Sequence, residues 1–152
     1  MSTITQDQAR GRRRVDQLLA HYGESHRHPT NELIHYIAIP LIMLSLVGLI
    51  YALHPVAAYL FIAASLVYYV RLSLVFALSM LALSALGLAL VYAMGEQRVA
   101  LCAAIFVVAW IFQFIGHKVE GRKPSFFEDL QYLWVGPLFV LSHLFGKLGI
   151  RW

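Results

Sequence analysis

Two short blocks concentrate the side chains of this chain that can bind a metal or move a proton. The first, Ser25-His26-Arg27-His28-Pro29-Thr30-Asn31-Glu32-Leu33-Ile34-His35, runs from a polar segment into a long apolar run. The second, Gln113-Phe114-Ile115-Gly116-His117, closes a later apolar run and is followed by Glu120. On a helix opening near Pro29, the positions of His28, Asn31 and His35 fall close to one side, because separations of three, four and seven residues approximate whole turns. Gln113, His117 and Glu120 obey the same rule. Neutral imidazole suits iron, zinc, copper or nickel, and a carboxylate such as Glu120 or Glu32 either completes such a site or orients a ligand from behind. Iron fits a reaction that uses oxygen, but spacing alone does not select the metal.

Composition dictates which elements must position these groups. Apolar residues make up 60% of the 152 positions and charged residues only 13%, with a mean hydropathy of +0.68. A chain this short leaves much of its surface exposed when it folds alone, so lipid has to cover the excess. The formal charge of +4 does not indicate nucleic acid, since no long basic patch interleaves with aromatics. Arg10, Arg12, Arg13 and Arg14 instead precede the first apolar run, where they suit anionic lipid. Cys102 is the sole cysteine, which excludes an intrachain disulfide and a cysteine-based zinc site. The N-terminus lacks the pattern of a removable signal peptide.

The expected architecture is all-α: one membrane domain over residues 1–152, built as an integral helical bundle. Residues 5–22 read as an interfacial helix with Val15, Leu18, Leu19 and Tyr22 on one side; the same stripe also suits a helix packed on the protein's own cytoplasmic face. Four transmembrane helices follow at about 30–53, 56–70, 72–94 and 99–117. Pro40 is expected to kink the first, and Ala82, Ser84, Ala85, Gly87 and Ala89 to permit close approach of the third. Residues 126–150 form a last apolar segment, broken by Gly136-Pro137, which either re-enters or makes a fifth span. Lysine and arginine placement puts the N-terminus and the 118–125 loop in the cytoplasm, so His26, His28, His35 and His117 share that face. The depth of His143 depends on the fate of the last segment.

Other chemistries find little support. No glycine-rich phosphate cradle and no Ser-His-Asp arrangement is present, and the middles of the second and third spans lack the acid or base that an ion relay needs. His21 and His54 read as interfacial anchors, and Tyr68 and Tyr69 as aromatic anchors beside Arg71. His28 reads equally well as the cap of the helix that opens at Pro29.

The block His26 to His35 with the following Ile39-Pro40, the block Gln113-Phe114-Ile115-Gly116-His117-Lys118-Val119-Glu120-Gly121-Arg122-Lys123-Pro124, and Gly136-Pro137-Leu138-Phe139-Val140 resemble the three signatures of the Mpo1-like (DUF962) membrane proteins. The resemblance extends over nearly the whole chain. It implies an Fe(II)-dependent dioxygenase that shortens long-chain 2-hydroxy fatty acids by one carbon in α-oxidation, with O₂ as co-substrate and membrane lipid as surroundings. It also implies that His26, His35 and His117 hold the family's histidine positions, with Asn31, Gln113 and Glu120 as neighbours in the catalytic motifs. His28 is the less secure ligand. His143 is a fourth candidate, which either replaces an acid of some relatives or packs close by. Arg27, Arg122 and Lys123 are expected to steer the substrate carboxylate. The site would face the cytoplasm from a bacterial inner membrane or an endoplasmic reticulum. The rival expectation is a non-catalytic scaffold or lipid-binding protein whose histidines make interhelical hydrogen bonds. Oligomeric state and acyl length are not encoded in any motif.

Overall fold

The computed structural model describes residues 13–122 and 126–152, apart from the side chains of residues 126, 127 and 131. Among the described residues every regular element is helical. Helix α1 spans Arg14–Gly23, α2 Pro29–Leu53, α3 Pro55–Leu72, α4 Leu74–Ala93, α5 Arg98–Glu120, α6 Phe126–Gln131 and α7 Val135–Leu148, with a 3₁₀ turn at Gly95–Gln97. Four segments, α2, α3, α4 and the 3₁₀ turn continued into α5, are long and apolar enough to cross a membrane. Their outward side chains, among them Leu53, Leu60, Leu74 and Tyr92, are exposed on the protein alone. An apolar surface of that extent belongs against lipid.

Local chemistry sets the boundaries. Pro29 and Pro55 stand in the first turns of α2 and α3, where the missing N–H costs nothing. The residue before each, His28 and His54, is extended as proline demands, and its Nδ1 accepts from the N–H two residues on, at 3.2 Å in both cases. Gly121 ends α5 with a φ of +78°, and the next N–H, of Arg122, reaches back to the His117 carbonyl at 3.0 Å. Helix α5 therefore runs one turn past the expected boundary and carries Glu120 with it. Pro40 sits inside a helix that continues unbroken to Leu53.

The four long helices alternate in direction, so the start of α2, the end of α3, the start of α4 and the end of α5 gather at one end of the bundle, here termed proximal. Helices α2 and α5 make the most extensive contact. A Cβ on Gly48 would lie 2.2 Å from Cys102 Sγ, so the two helices approach closely because that position has no side chain. Of the small residues of α4, Ala82, Ala85 and Ala89 are exposed, whereas Ser84 and Gly87 are half-buried, and a Cβ on Gly87 would lie 3.8 Å from Leu44 Cδ1; the buried residues of α4 are Phe76, Ala77, Met80 and Val91.

The last apolar segment folds back. Its interruption lies at residues 132–134, ahead of Gly136-Pro137; those two residues belong to the first turn of α7, where proline is tolerated. At its 14 residues α7 is too short to span a core of roughly 30 Å. Near its start, Trp134 Nε1 donates to Ser65 Oγ at 2.9 Å and the Tyr69 hydroxyl donates to the Trp134 carbonyl at 2.9 Å. Near its end, Phe145 meets Phe76, and Trp152 meets Phe76 and donates from Nε1 to Asp16 Oδ1 at 3.2 Å. Tyr69, Phe76 and Asp16 all belong to the proximal end, so of the two expected arrangements the chain adopts the re-entrant one. Helix α1 closes over it, burying Val15, Leu19 and Tyr22 in one core with Leu138, Phe139, Leu141 and Phe145. The apolar stripe of α1 is thus consumed by the protein's own α7 rather than by acyl chains. The expected part of that helix over residues 5–12 lies outside the described residues.

Candidate metal centre

Two helices and the connection between α1 and α2 bring His26, His35 and His117 to one point at the proximal end. Each offers one ring nitrogen within 4.8 Å of those of the other two, and all three residues are buried. Ring centroids are 4.2 Å apart for His26 and His35, 5.1 Å for His35 and His117, and 5.7 Å for His26 and His117.

Each ring is held by a specific contact. His26 stands in the turn after α1; its Nδ1 is 2.8 Å from the Tyr22 carbonyl, and its ring stacks on Tyr22 at 4.2 Å with 9° between planes. His35 repeats the bond inside α2, its Nδ1 lying 2.8 Å from the Asn31 carbonyl. A carbonyl oxygen can only accept, so Nδ1 carries the proton in both rings and Nε2 keeps its lone pair. Both Nε2 atoms are buried without a hydrogen-bond partner among the described residues. Such orphaned acceptors are costly in a folded interior, and a cation between them would satisfy both. Burial pushes His26 below the ordinary imidazole value, and nearby His117 adds to that, while the bond to Tyr22 opposes it. The neutral form required of a metal ligand is therefore favoured at His26. Tyr22 is raised by its burial and by Asp129, which keeps its hydroxyl protonated.

The loop that carries His26 is pinned from the end of α5. Glu120 accepts from the backbone N–H of Arg27 at 3.1 Å, from that of His28 at 2.7 Å, and from Asn31 Nδ2 at 3.1 Å. Asn31 Nδ2 also donates to the Ser25 carbonyl at 3.3 Å. Arg122 donates to Ser25 Oγ at 3.3 Å and to the Glu24 carbonyl at 3.4 Å. Gly116 makes this meeting possible: a Cβ there would lie 2.3 Å from Asn31 Oδ1 and 3.5 Å from His35 Cε1. Gln113, one turn below His117, is buried with Oε1 unpartnered among the described residues, and lines a small cavity with Tyr22, Asp129 and Tyr132.

The remaining expected site residues lie elsewhere. His143 does not join the three: its Nδ1 donates to the Phe139 carbonyl at 2.9 Å and its Nε2 lies 3.0 Å from Glu32 Oε1, which also accepts from the Tyr36 hydroxyl. The fold-back of α7 delivers it to Glu32, and both ring nitrogens are occupied there. His28 is exposed and caps α2, as one of its two expectations held. Arg27 is exposed, Arg122 is engaged with the loop, and Lys123 lies outside the described residues. One residue that sequence reasoning passed over is prominent: Asp129 of α6 places both carboxylate oxygens 3.0 Å from His117 Nε2. The available signal was a carboxylate inside a segment otherwise read as apolar.

The fold defines a helical membrane bundle that buries three histidines together at one end. Comparison with known proteins narrows it. Residues 13–148 match the family model described as 2-hydroxy-palmitic acid dioxygenase Mpo1-like, and the chain belongs to that Mpo1-like family. It is 35% identical over 141 residues to the 2-hydroxy-palmitic acid dioxygenase MPO1 of Saccharomyces cerevisiae, covering 86% of this chain and 79% of the relative. No solved structure matches the chain.

Proposed function

We propose that the protein is a membrane-bound, Fe(II)-dependent dioxygenase that shortens long-chain 2-hydroxy fatty acids by one carbon, with His26, His35 and His117 holding the iron. The observation that carries this reading is the pair of buried, unpartnered Nε2 atoms of His26 and His35, facing a third buried histidine in a member of this family. A scaffold whose histidines made interhelical hydrogen bonds would have those nitrogens paired. The named activity of the yeast relative supplies the reaction class.

When bound, non-haem Fe(II) with open coordination positions supplies a place for O₂ and a chelating substrate to react. The chain's own residues do the rest. The Tyr22 and Asn31 carbonyls fix the tautomers of His26 and His35, and Glu120 and Arg122 hold the loop that brings His26 to the other two. Burial around the three rings excludes bulk water. Arg27 and Arg122 give the proximal rim positive charge that attracts a carboxylate, and Lys123 follows Arg122 in the sequence. An apolar groove of about 490 Å³ between α2 and α5, lined by Leu33, Ile37, Leu41, Val108 and Phe112, runs along the pair of helices that carries His35 and His117 and suits an acyl chain. The positive-inside rule puts this rim in the cytoplasm, with substrate drawn from that leaflet.

The test joins metal analysis to product mass spectrometry. Purified protein is expected to contain iron and to consume O₂ with a long-chain 2-hydroxy fatty acid, but not with the unhydroxylated acid, giving a product one carbon shorter. The double variant His35→Ala, His117→Ala should retain less than about a tenth of the iron, since even outer-shell losses cost 10–100-fold in affinity. Full turnover after stringent metal removal, or normal turnover by the double variant, sinks the proposal.

A further inference from the structure

The three histidines are not held alike. His26 and His35 each give Nδ1 to the carbonyl four residues earlier in the chain. His117 instead directs Nε2 to Asp129, with both carboxylate oxygens at 3.0 Å. The two side chains are 8% and 14% exposed, so the contact is largely sheltered from solvent. Asp129 is not one of the residues whose ligand atoms cluster within 4.8 Å; that group is the three histidines.

We infer that Asp129 is the positioning residue of the metal centre: its carboxylate accepts Nε2–H of His117, so that the lone pair available for the metal is on Nδ1. The inference rests on the three-histidine reading of the centre. The chemistry follows from the inventory of the two groups. An ionised carboxylate is an acceptor only, so a neutral His117 facing it carries its proton on Nε2. The centre then uses two histidines through Nε2, fixed by backbone, and one through Nδ1, fixed by an acidic side chain. A carboxylate behind a ligating imidazole orients the ring and raises its basicity. It also sets one negative charge beside three neutral rings, which favours a dication. Helix α6 thereby acquires a role: six residues long, it sets Asp129 against the last turns of α5.

The test uses the full-length protein in detergent, loaded with Co(II) in place of the native metal. The wild type is expected to show three hyperfine-shifted, solvent-exchangeable imidazole N–H resonances, one per histidine. Asp129→Ala should bind Co(II) about 10–100-fold more weakly, in line with the loss of an outer-shell partner, and should lose or rapidly exchange one of the three signals. Asp129→Asn retains an oxygen acceptor without the charge, and should keep three signals while binding several-fold more weakly. If Asp129→Ala does not fold, unchanged Co(II) affinity in Asp129→Asn overturns the inference. It is also overturned if Asp129→Ala keeps three unaltered signals, or if the spectra show that an oxygen ligand has left the metal, which would make Asp129 a direct ligand. A wild type that takes up no stoichiometric Co(II) or Fe(II) removes the three-histidine reading itself, and this inference with it; normal uptake by the wild type and Asp129→Ala alike removes only the role of Asp129.

Discussion

Phe139 stands beside two histidine environments, at 5.7 Å from His26 and 4.5 Å from His143, and the contrast between them separates an imidazole with an unpartnered nitrogen from one with both nitrogens engaged. Both rings donate Nδ1 to the carbonyl one helical turn earlier, at 2.8 and 2.9 Å. They differ at Nε2. That of His26 is buried and faces two more imidazoles with no partner, whereas that of His143 meets Glu32 at 3.0 Å with the ring 40% exposed. Residue type and the bond made by Nδ1 are shared; the unsatisfied acceptor is not. Desolvation without compensation at Nε2 is what the first environment has and the second lacks.

The severest way to break the contrast is to separate α2 from α5. Gly116→Ala would place a methyl 2.3 Å from Asn31 Oδ1, against a side chain held by Ser25 and Glu120, so the helices must part. Overpacking of this kind costs roughly 1–3 kcal/mol. Iron content by elemental analysis is expected to fall to near background, and thermal unfolding to shift downward, while the Glu32–His143 contact keeps its geometry.

Acid provides a graded test. Burial holds the folded-state value of His26 below its ordinary value of about 6.5, so below that pH the unfolded chain binds a proton that the folded chain does not. The contribution of neutral His26 to the metal-free fold is therefore complete above about pH 6.5 and is lost as pH falls through its lower folded-state value. Melting temperatures of metal-free protein should decline on acidification below about pH 6.5, and the decline should be shallower in His26→Gln. Metal uptake should weaken over the same direction of pH, because the ligands must be neutral.

The smallest effect is expected from His143→Gln. It removes a partly exposed pair, a class worth about 0–1 kcal/mol, and leaves the three-histidine cluster intact. Iron stoichiometry should equal that of the wild type. A His143→Gln variant that loses its iron would erase the distinction drawn between the two environments.

Much of the framework was legible in the chain. Apolar runs of bilayer length and the prolines after His28 and His54 specify four long helices and where two of them begin. The spacings around His35 and His117 put ligand types on helix ends, and an even number of crossings returns those ends to one face. Glu120 was legible as part of the same motif, but its role was not: whether a carboxylate binds a metal or clamps a loop depends on which N–H groups the neighbouring chain presents to it. Asp129 was passed over and the place of His143 was left open for one reason. Both lie beyond Gly121, where position relative to the centre is decided by how the last segment docks, and a run of apolar residues with a break is equally compatible with crossing and with folding back.

Sequence by itself therefore determined a membrane-spanning helical chain with three histidines at one depth, because hydropathy and helical period are local properties. Only the tertiary structure decided which imidazole nitrogens go unpaired, that His143 spends both of its own on Phe139 and Glu32, and that Asp129 stands behind His117. Those outcomes follow from how α1, α6 and α7 close over the proximal end, and a hydrogen bond between residues far apart in the chain exists only once that packing has been made.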